Sequence, residues 1–451
     1  MPVIKNAAEL LKGDAEERKL RGHCLSLLEA CFEAIDVRKA LHRELRLDGE
    51  RLRIRNKSFD LALFEHIYVA GFGKASGLMA EAVEEILGPR VTGGVVNTVE
   101  PANTQKIEVV VASHPLPDEN GLKGAQKILD LAKRAGPKDL LICLVSGGGS
   151  ALLPLPVEGV SLRDKQALTS LLLKSGASIR ELNCVRKHLS QVKGGRLAEA
   201  TQATVLSLMV SDVIGDALDV IASGPTAPDE STFAQAVHVL KNHGVWEGCP
   251  AGAKKHLLAG MAKKAPETPK AGNPCFKRVT HVVFLNNRSA LQALKSKASE
   301  LGIHYQVFSD HLSGEARAAG EKLVRELKIL SHPNKARPFA LFAAGETTVA
   351  VRGRGRGGRN LEVVLGGCGG LGGLENALLC SVGTDGVDGS SDAAGAIATT
   401  QTLARAKEKG LDAKKFLAEN DSHAFFGKLD DLVLTGYTKT NVMDVQICLL
   451  G

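Results

Sequence analysis

A lysine directly after a Gly-x-Gly, three glycines between two serines, and four arginines spaced among glycines are the residues of this chain best suited to chemistry on an anion. The lysine is Lys74, in Gly71-Phe72-Gly73-Lys74. The triple glycine is Ser146-Gly147-Gly148-Gly149-Ser150, and the arginines are Arg352, Arg354, Arg356 and Arg359. Glycine lets backbone N–H groups approach a phosphate with no Cβ in the way, and a helix start adds its positive dipole end. The bland reading of the same glycines is a flexible turn. Lysine neutralises phosphate as a point charge, and a cation at a helix start is otherwise electrostatically unfavourable. Arginine forks grip phosphate or carboxylate. Asp212, Asp216, Asp385, Asp388, Asp392 and Glu346 offer the hard oxygens that magnesium takes alongside phosphates and water, or else are turn residues satisfying their own backbone. His114, between Ser113 and Pro115, is either a general base or a loop histidine tied to backbone.

Other chemistries lack their parts. No Gly-Lys-Ser/Thr follows the triple glycine, so it is not a P-loop. Gly353, Gly355 and Gly358 satisfy G-x-G-x-x-G, but no ribose-binding acid follows in a βαβ context. That match is the sole support for a dinucleotide-dependent oxidoreductase acting on a hydroxy acid. An RNA-binding protein using the arginine-glycine loop is the non-enzymatic alternative, although such segments usually lie in low-complexity tails. Asp385-Gly386-Val387-Asp388-Gly389 resembles a calcium loop whose twelfth position, Ala396, lacks the required glutamate. G-x-S-x-G and H-E-x-x-H motifs are absent from the sequence.

The elements that position these residues alternate between strand and helix. Leu141 to Val145 is an apolar run too short for a typical helix, and it feeds the triple glycine as a buried strand. His66 to Ala70 feeds Gly71 to Lys74 in the same way, with a helix over 75–87 behind it. Strands are expected at 94–98, 107–112, 205–210, 281–285, 305–308, 377–382, 432–434 and 445–450. Two strands should flank Gly345-Glu346-Thr347, and a short helix should follow Asn360. Residues 7–46 read as helical, and Ser161-Leu162-Arg163-Asp164 as a capping box. Ala265 to Lys277, with three prolines and few apolar residues, reads as a linker. The chain is therefore expected to form two β/α domains, residues 1–268 and 278–451, with parallel sheets favoured by the alternation. Polar loops recur after the strands, which is where open parallel sheets bind ligands.

Composition agrees with that plan. A length of 451 residues suits two or three domains, and 44% hydrophobic residues exclude disorder as the dominant state. A net charge of +7 spread over the chain fits anionic small molecules and does not demand nucleic acid. None of the nine cysteines forms a C-x-x-C, so they read as reduced core residues of an intracellular protein. No run of 18 apolar residues occurs, so no membrane span is expected. The N-terminus lacks a signal-peptide core; the expected compartment is the cytoplasm, with mitochondria compatible.

Taken in order, the motifs resemble the glycerate kinase family that carries a C-terminal MOFRL domain. The matching stretches are VAGFGKAS (69–76), SHPLPDENG (113–121), LVSGGGSALLPLP (144–156), NCVRKHLSQVKGGRLA (183–198), SDVIGDALDVIASGPTAPD (211–229), GETTVAVRGRGRGGRN (345–360), GTDGVDGSSDAAGAI (383–397), and NDSHAFF with TNVMD (420–426, 440–444). The resemblance implies an N-terminal Rossmann-like doubly wound domain, a smaller C-terminal α/β domain and an active site in the interdomain cleft. It implies ATP-dependent phosphorylation of D-glycerate, at the 2-hydroxyl more often than the 3-hydroxyl, with Mg2+. Lys74 and Arg359 map onto the family's proposed catalytic cations, and Ser146 to Ser150 onto its nucleotide phosphate cradle. Lys193, Asn287 and Glu346 are assigned to the nucleotide. Arg352, Arg354 and Asn360 are assigned to the substrate, Asp385 and Asp388 to the metal, and Asp212, with Asp385 as second candidate, to orienting the attacking hydroxyl. Partners are then small molecules, with no nucleic acid and no membrane, and a homodimer is compatible. The chain departs from the family pattern at Ala344 and Lys439, where glycines are usual, and at Leu361, where glutamine is.

Overall fold

The computed structural model describes residues 2–331 and 336–451. The chain divides into two compact units, one spanning Ala40–Phe284 and the other combining the segment up to Lys39 with Leu285–Gly451.

In the first unit, β1 (His66–Phe72), β2 (Gly93–Thr98), β3 (Ile107–Val111), β4 (Asp139–Val145), β5 (Thr204–Val210) and β6 (Val279–Leu285) form one sheet. Its order is β3-β2-β1-β4-β5-β6. The β1–β2, β2–β3, β1–β4 and β4–β5 pairs are parallel. This is the doubly wound order, and the chain changes direction across the sheet between β1 and β4. All seven residues of β4 are buried, because both faces of the sheet are covered. Tyr68, Ala70, Phe72, Leu141, Cys143 and Val145 pack with Ile128, Leu129 and Ala132 of helix Glu119–Arg134. The alternate residues Val69, Ile142 and Leu144 are equally buried and face the other way. Truncating a side chain such as Leu141 to alanine would cost ~2–5 kcal/mol. A second core gathers helices Leu162–Lys174, Ile179–His188, Phe233–Asn242 and Ala251–Met261. Ser161 caps the first of these with the reciprocal box that its spacing predicts.

The segment 265–277 differs from the linker expected from its composition. Thr268 is buried and its hydroxyl donates to Asp229 at 2.9 Å. Glu267 bonds His188 at 2.7 Å, and Lys270 reaches the carbonyl of Ser231. The strap leads into β6, which belongs to the first sheet, so this unit runs to Phe284 rather than ending near residue 268. Polar residues that read as solvated in sequence are here consumed by specific partners.

In the second unit, β7 (His304–Leu312), β8 (Phe339–Gly345), β9 (Ala377–Gly383), β10 (Gly395–Thr399), β11 (Leu432–Val433) and β12 (Asp444–Leu450) form a sheet in the order β7-β8-β12-β9-β10-β11. Only β7–β8 pairs in parallel; the other neighbours are antiparallel. The expectation of a parallel sheet fails here because β10 follows β9 without a crossover helix, and because the last strand inserts between β8 and β9. β10, the sequence Gly-Ala-Ile-Ala-Thr, carries too little β-branched signal to be expected from sequence. The stretch after Glu346 forms no second strand, and the helix after it, Arg359–Leu371, is longer than expected. A small antiparallel sheet over Leu45–Asp48, Arg51–Ile54 and Lys57–Asp60, in the first unit, is also unforeseen.

The first 39 residues join the second unit through helix Ala15–Ala34. Leu20, Cys24, Leu27, Leu28 and Cys31 recur at helical spacing, are buried, and give it an apolar stripe beside helix Asn287–Glu300. Arg21 is fully buried and donates to Glu17 at 2.9 Å and to Asp431 at 3.0 Å. Asp431 also pairs with Arg405 and Lys12, so removing it would strand buried positive charge.

Candidate active site

Each strand of the first sheet ends in a loop, and four of these loops meet at the change of direction between β1 and β4. Gly73 sits at φ +138°, and a Cβ there would overlap Ser146, so only glycine admits the approach of the two loops. The amide of Ala75 donates to Ser146 Oγ at 3.0 Å, and that of Lys74 to the Gly147 carbonyl at 2.9 Å. Ser146 is buried, so its hydroxyl ties the loops together rather than facing a ligand.

Each of the three glycines has its own steric reason. A Cβ on Gly147 would overlap the Asp212 carboxylate. One on Gly148, at φ +80°, would lie 2.9 Å from the His114 ring and 3.1 Å from Lys74 Cγ. One on Gly149 would lie 2.7 Å from the Ala222 methyl. The N–H of Gly149 is taken by the Ser146 carbonyl at 3.2 Å, while those of Gly147 and Gly148 have no partner among the described residues. The cradle expected from five residues thus narrows to two free backbone donors, with Lys74, His114 and Asp212 seated on it. The helix behind it, Gly149–Leu152, is a single turn, so its dipole adds little.

Burial, reinforced by the Lys74 charge, pushes the His114 imidazole down to about 4. It is therefore neutral at pH 7. Among the described residues no hydrogen bond holds the ring, so the alternative of a backbone-tied loop histidine is corrected. Ser150 Oγ lies 2.7 Å from Ser223 Oγ, which donates to Asn183 Oδ1 at 2.9 Å. Ala222 and Ser223 hold φ of +52° and +63°, strain that persists only where the surroundings over-determine it. Lys193 is buried, and the next amide, that of Gly194, donates to the Ser223 carbonyl at 3.0 Å.

The second unit gathers the other expected residues. Arg359 opens helix Arg359–Leu371 and forks onto Asp444, with Nε 2.6 Å from Oδ2 and Nη2 2.9 Å from Oδ1; its Nη1 meets Glu346. Burial pushes Asp444 up to about 6 although Arg359 pulls it down. Asp388 accepts from the amides of Asn360 at 3.0 Å and Leu361 at 2.8 Å, and from the Asn360 side chain at 3.3 Å. It is buried and caps that helix from a distant loop, so its expected place as a metal ligand gives way to a structural one. Asn360 is likewise buried, and its amide oxygen accepts from Ser381 at 2.6 Å, which leaves it poorly placed for substrate. Asn287 donates to the Asp310 carbonyl at 2.7 Å. The side chains of Arg352 and Arg354 are exposed, while the Arg352 and Gly353 amides dock on Asn420 at 2.7 and 2.9 Å. Asp385 is half-buried; its carboxylate receives the Val387 amide at 3.3 Å and its backbone carbonyl the Thr438 amide at 3.0 Å. No cluster of three or more His, Cys, Asp or Glu able to hold a metal occurs among the described residues. Lys439, where the family pattern has glycine, sits at φ +63°, a cost of ~1–2 kcal/mol for a residue with a Cβ.

Residues 23–258 match the family model described as a domain of unknown function, DUF4147, and residues 339–444 match the MOFRL family. The chain is 37% identical over 430 residues to glycerate 2-kinase from Pyrococcus horikoshii, covering 94% of this chain and 96% of that protein. It is 42% identical over 393 residues to D-glycerate 2-kinase from Thermotoga maritima, covering 86% and 91%. The crystal structure of glycerate kinase from Thermotoga maritima superposes with a TM-score of 0.85 at 39% identity, covering 96% of this chain and all of that one.

Proposed function

The chain belongs to the glycerate kinase family that carries a C-terminal MOFRL domain, and on that premise we propose that it transfers a phosphoryl group from ATP to D-glycerate, favouring the 2-hydroxyl over the 3-hydroxyl. The observation that carries the reading is the convergence of Lys74, His114 and Asp212 on Gly147 and Gly148 at the switch point of the first sheet. Phosphoryl transfer asks little covalent work of a protein; it needs countercharge, donors to phosphate oxygens and an aligned hydroxyl. Lys74 supplies a point charge. The Gly147 and Gly148 amides, without a partner among the described residues, offer donors to an oxyanion. Asp212, whose carboxylate lies beside Gly147, would orient the attacking hydroxyl and take its proton. His114, neutral at pH 7, offers a hydrogen bond without adding a second positive charge beside Lys74.

Magnesium, when bound, would screen the phosphate oxygens. Asp388 is buried and already accepts three hydrogen bonds, so Asp385 is the carboxylate that better fits a metal held mainly by phosphates and water. Arg352 and Arg354, whose side chains are exposed, remain the candidates for the glycerate carboxylate. The oxidoreductase alternative loses its one support: Cβ atoms on Gly353, Gly355 and Gly358 would overlap Glu419, Asp421 and Asp388. Those glycines serve packing against neighbouring chain, not approach to a dinucleotide.

The test is ADP release coupled to phosphorus NMR of the product. D-glycerate with ATP and magnesium should give a phosphomonoester on the 2-position, and Asp212→Asn should slow turnover without unfolding the chain. NADH oxidation with hydroxypyruvate and no ATP would overturn the reading.

A further inference from the structure

One helix of the first unit carries two contrasting treatments of buried positive charge. Lys187, 3% exposed, is gripped by Asp229 at 3.2 Å and Asp219 at 3.1 Å. One residue earlier, Arg186 has no hydrogen bond or ion pair among the described residues. Neither has the ammonium of Lys165, 8% exposed, in the first turns of helix Leu162–Lys174, nor that of Lys193, 1% exposed. The three lie within reach of one another's fields. Burial and then the Arg186 charge push Lys165 down to about 7, and burial with both neighbours pushes Lys193 well below the usual lysine range.

Such a cluster has no structural rationale. An unpaired buried ammonium costs folding free energy, and two beside a guanidinium cost more. Lys187 shows that the same fold supplies carboxylates where a buried lysine is structural. The cluster also has a defined address. Asn183 stands one turn before Arg186 and accepts from Ser223, Ser223 touches Ser150, and Gly194 beside Lys193 bonds the Ser223 backbone. Arg186 and Lys193 therefore sit on chain that borders the far end of the glycine loop, Lys165 approaches them from the helix packed alongside, and Arg186 is half-buried.

We infer that Lys165, Arg186 and Lys193 form an anion subsite for the phosphate chain of the nucleotide. Charge selects this occupant: one carboxylate would leave two cations unpaired, whereas a polyphosphate presents several charged oxygens to three donors. The inference rests on the kinase reading, from which it takes the nucleotide, and it adds which side chains hold the phosphates.

Calorimetric titration of the full chain with inorganic tripolyphosphate, without glycerate, tests it. Lys193→Met and Lys165→Met should each weaken tripolyphosphate binding about 10-fold or more, the scale of a lost charge-assisted hydrogen bond. Their thermal midpoints should stay level or rise, because each removes a buried amine that has no hydrogen-bond partner among the described residues. If Lys193→Met does not fold, Lys165→Met alone decides. Unchanged affinity in a folded variant, no binding to the unaltered chain, or a loss confined to D-glycerate would each overturn the subsite. Failure of the unaltered chain to phosphorylate D-glycerate, alongside lysine-dependent tripolyphosphate binding, would overturn the kinase reading and uphold the subsite.

Discussion

The backbone N–H of Lys74 donates to the carbonyl oxygen of Gly147 at 2.9 Å, which ties together the two glycine turns that follow β1 and β4. Lys74 and the triple glycine are thus one structural feature rather than two. The triple glycine is required first by the side chains that close over it, and the amides it leaves without a partner among the described residues are those of Gly147 and Gly148.

Gly148→Ala should therefore damage both turnover and nucleotide binding. Its Cβ would press on His114 and Lys74 from a left-handed backbone that alanine disfavours. The expected result is a kcat lower by roughly tenfold or more with a raised KM for ATP, since Lys74 is displaced along with the phosphate donors. A change in glycerate KM alone, in a folded variant, would contradict this placement.

Arg359 is both a family catalytic cation by resemblance and the partner of a fully buried carboxylate. Arg359→Ala should lose roughly 3–5 kcal/mol of stability, because Asp444 is left uncompensated. Adding Asp444→Asn should restore much of that loss while activity stays low. Denaturant midpoints of the single and double variants check the point; an unshifted midpoint for Arg359→Ala would show that the fork contributes nothing.

The clasp between His188 and Glu267 makes stability depend on pH. Burial opposes the His188 charge, but its two ring nitrogens face Cys184 O and Glu267, and the imidazole rises to about 9. Its contribution is full below about 6.5 and is lost as pH rises through about 9. Burial also opposes the Glu267 charge, yet bonds from His188 and two backbone amides hold it down to about 2; its contribution is full above about 4.5 and is lost as pH falls through about 2. Thermal midpoints should decline between pH 6.5 and 9, and His188→Gln should flatten that decline. Parallel pH profiles for the two proteins would contradict the clasp.

Asp385 and Asp388 should separate under mutation although they stand three residues apart. Asp385→Asn should raise the magnesium concentration for half-maximal activity and leave the melting curve in place. Asp388→Asn should lower the melting temperature, because an amide cannot accept from both the Asn360 and Leu361 backbones. Titration of activity with magnesium, beside melting curves, reads both; an equal metal shift in the two variants would return Asp388 to the metal site.

The first sheet was legible because its strands are continuous apolar runs closed by glycine loops, and both signals are local. The second sheet was less so: β10 is made of small residues, and the insertion of β12 between β8 and β9 is a long-range choice that no window records. Segment 265–277 misled because prolines and polar residues look solvated until Glu267, Thr268 and Lys270 meet their partners. At the site, sequence picked out Lys74, Asp212 and the glycines by type and place. It could not tell that Asp388 and Asn360 are held by hydrogen bonds inside their own unit, or that His114 lies within the field of Lys74. Lys165 and Arg186 escaped notice because lysine and arginine on amphipathic helices normally face water. What marks them is burial without a partner among the described residues.

The most direct test of the account is the turnover of Lys74→Ala with D-glycerate and ATP, measured beside its thermal midpoint. If Lys74 counters charge on the transferring phosphoryl group, kcat should fall by roughly 10²–10³, the scale of one lost electrostatic donor, with the midpoint unchanged. Normal turnover in a folded Lys74→Ala chain would contradict phosphoryl transfer at the glycine loop.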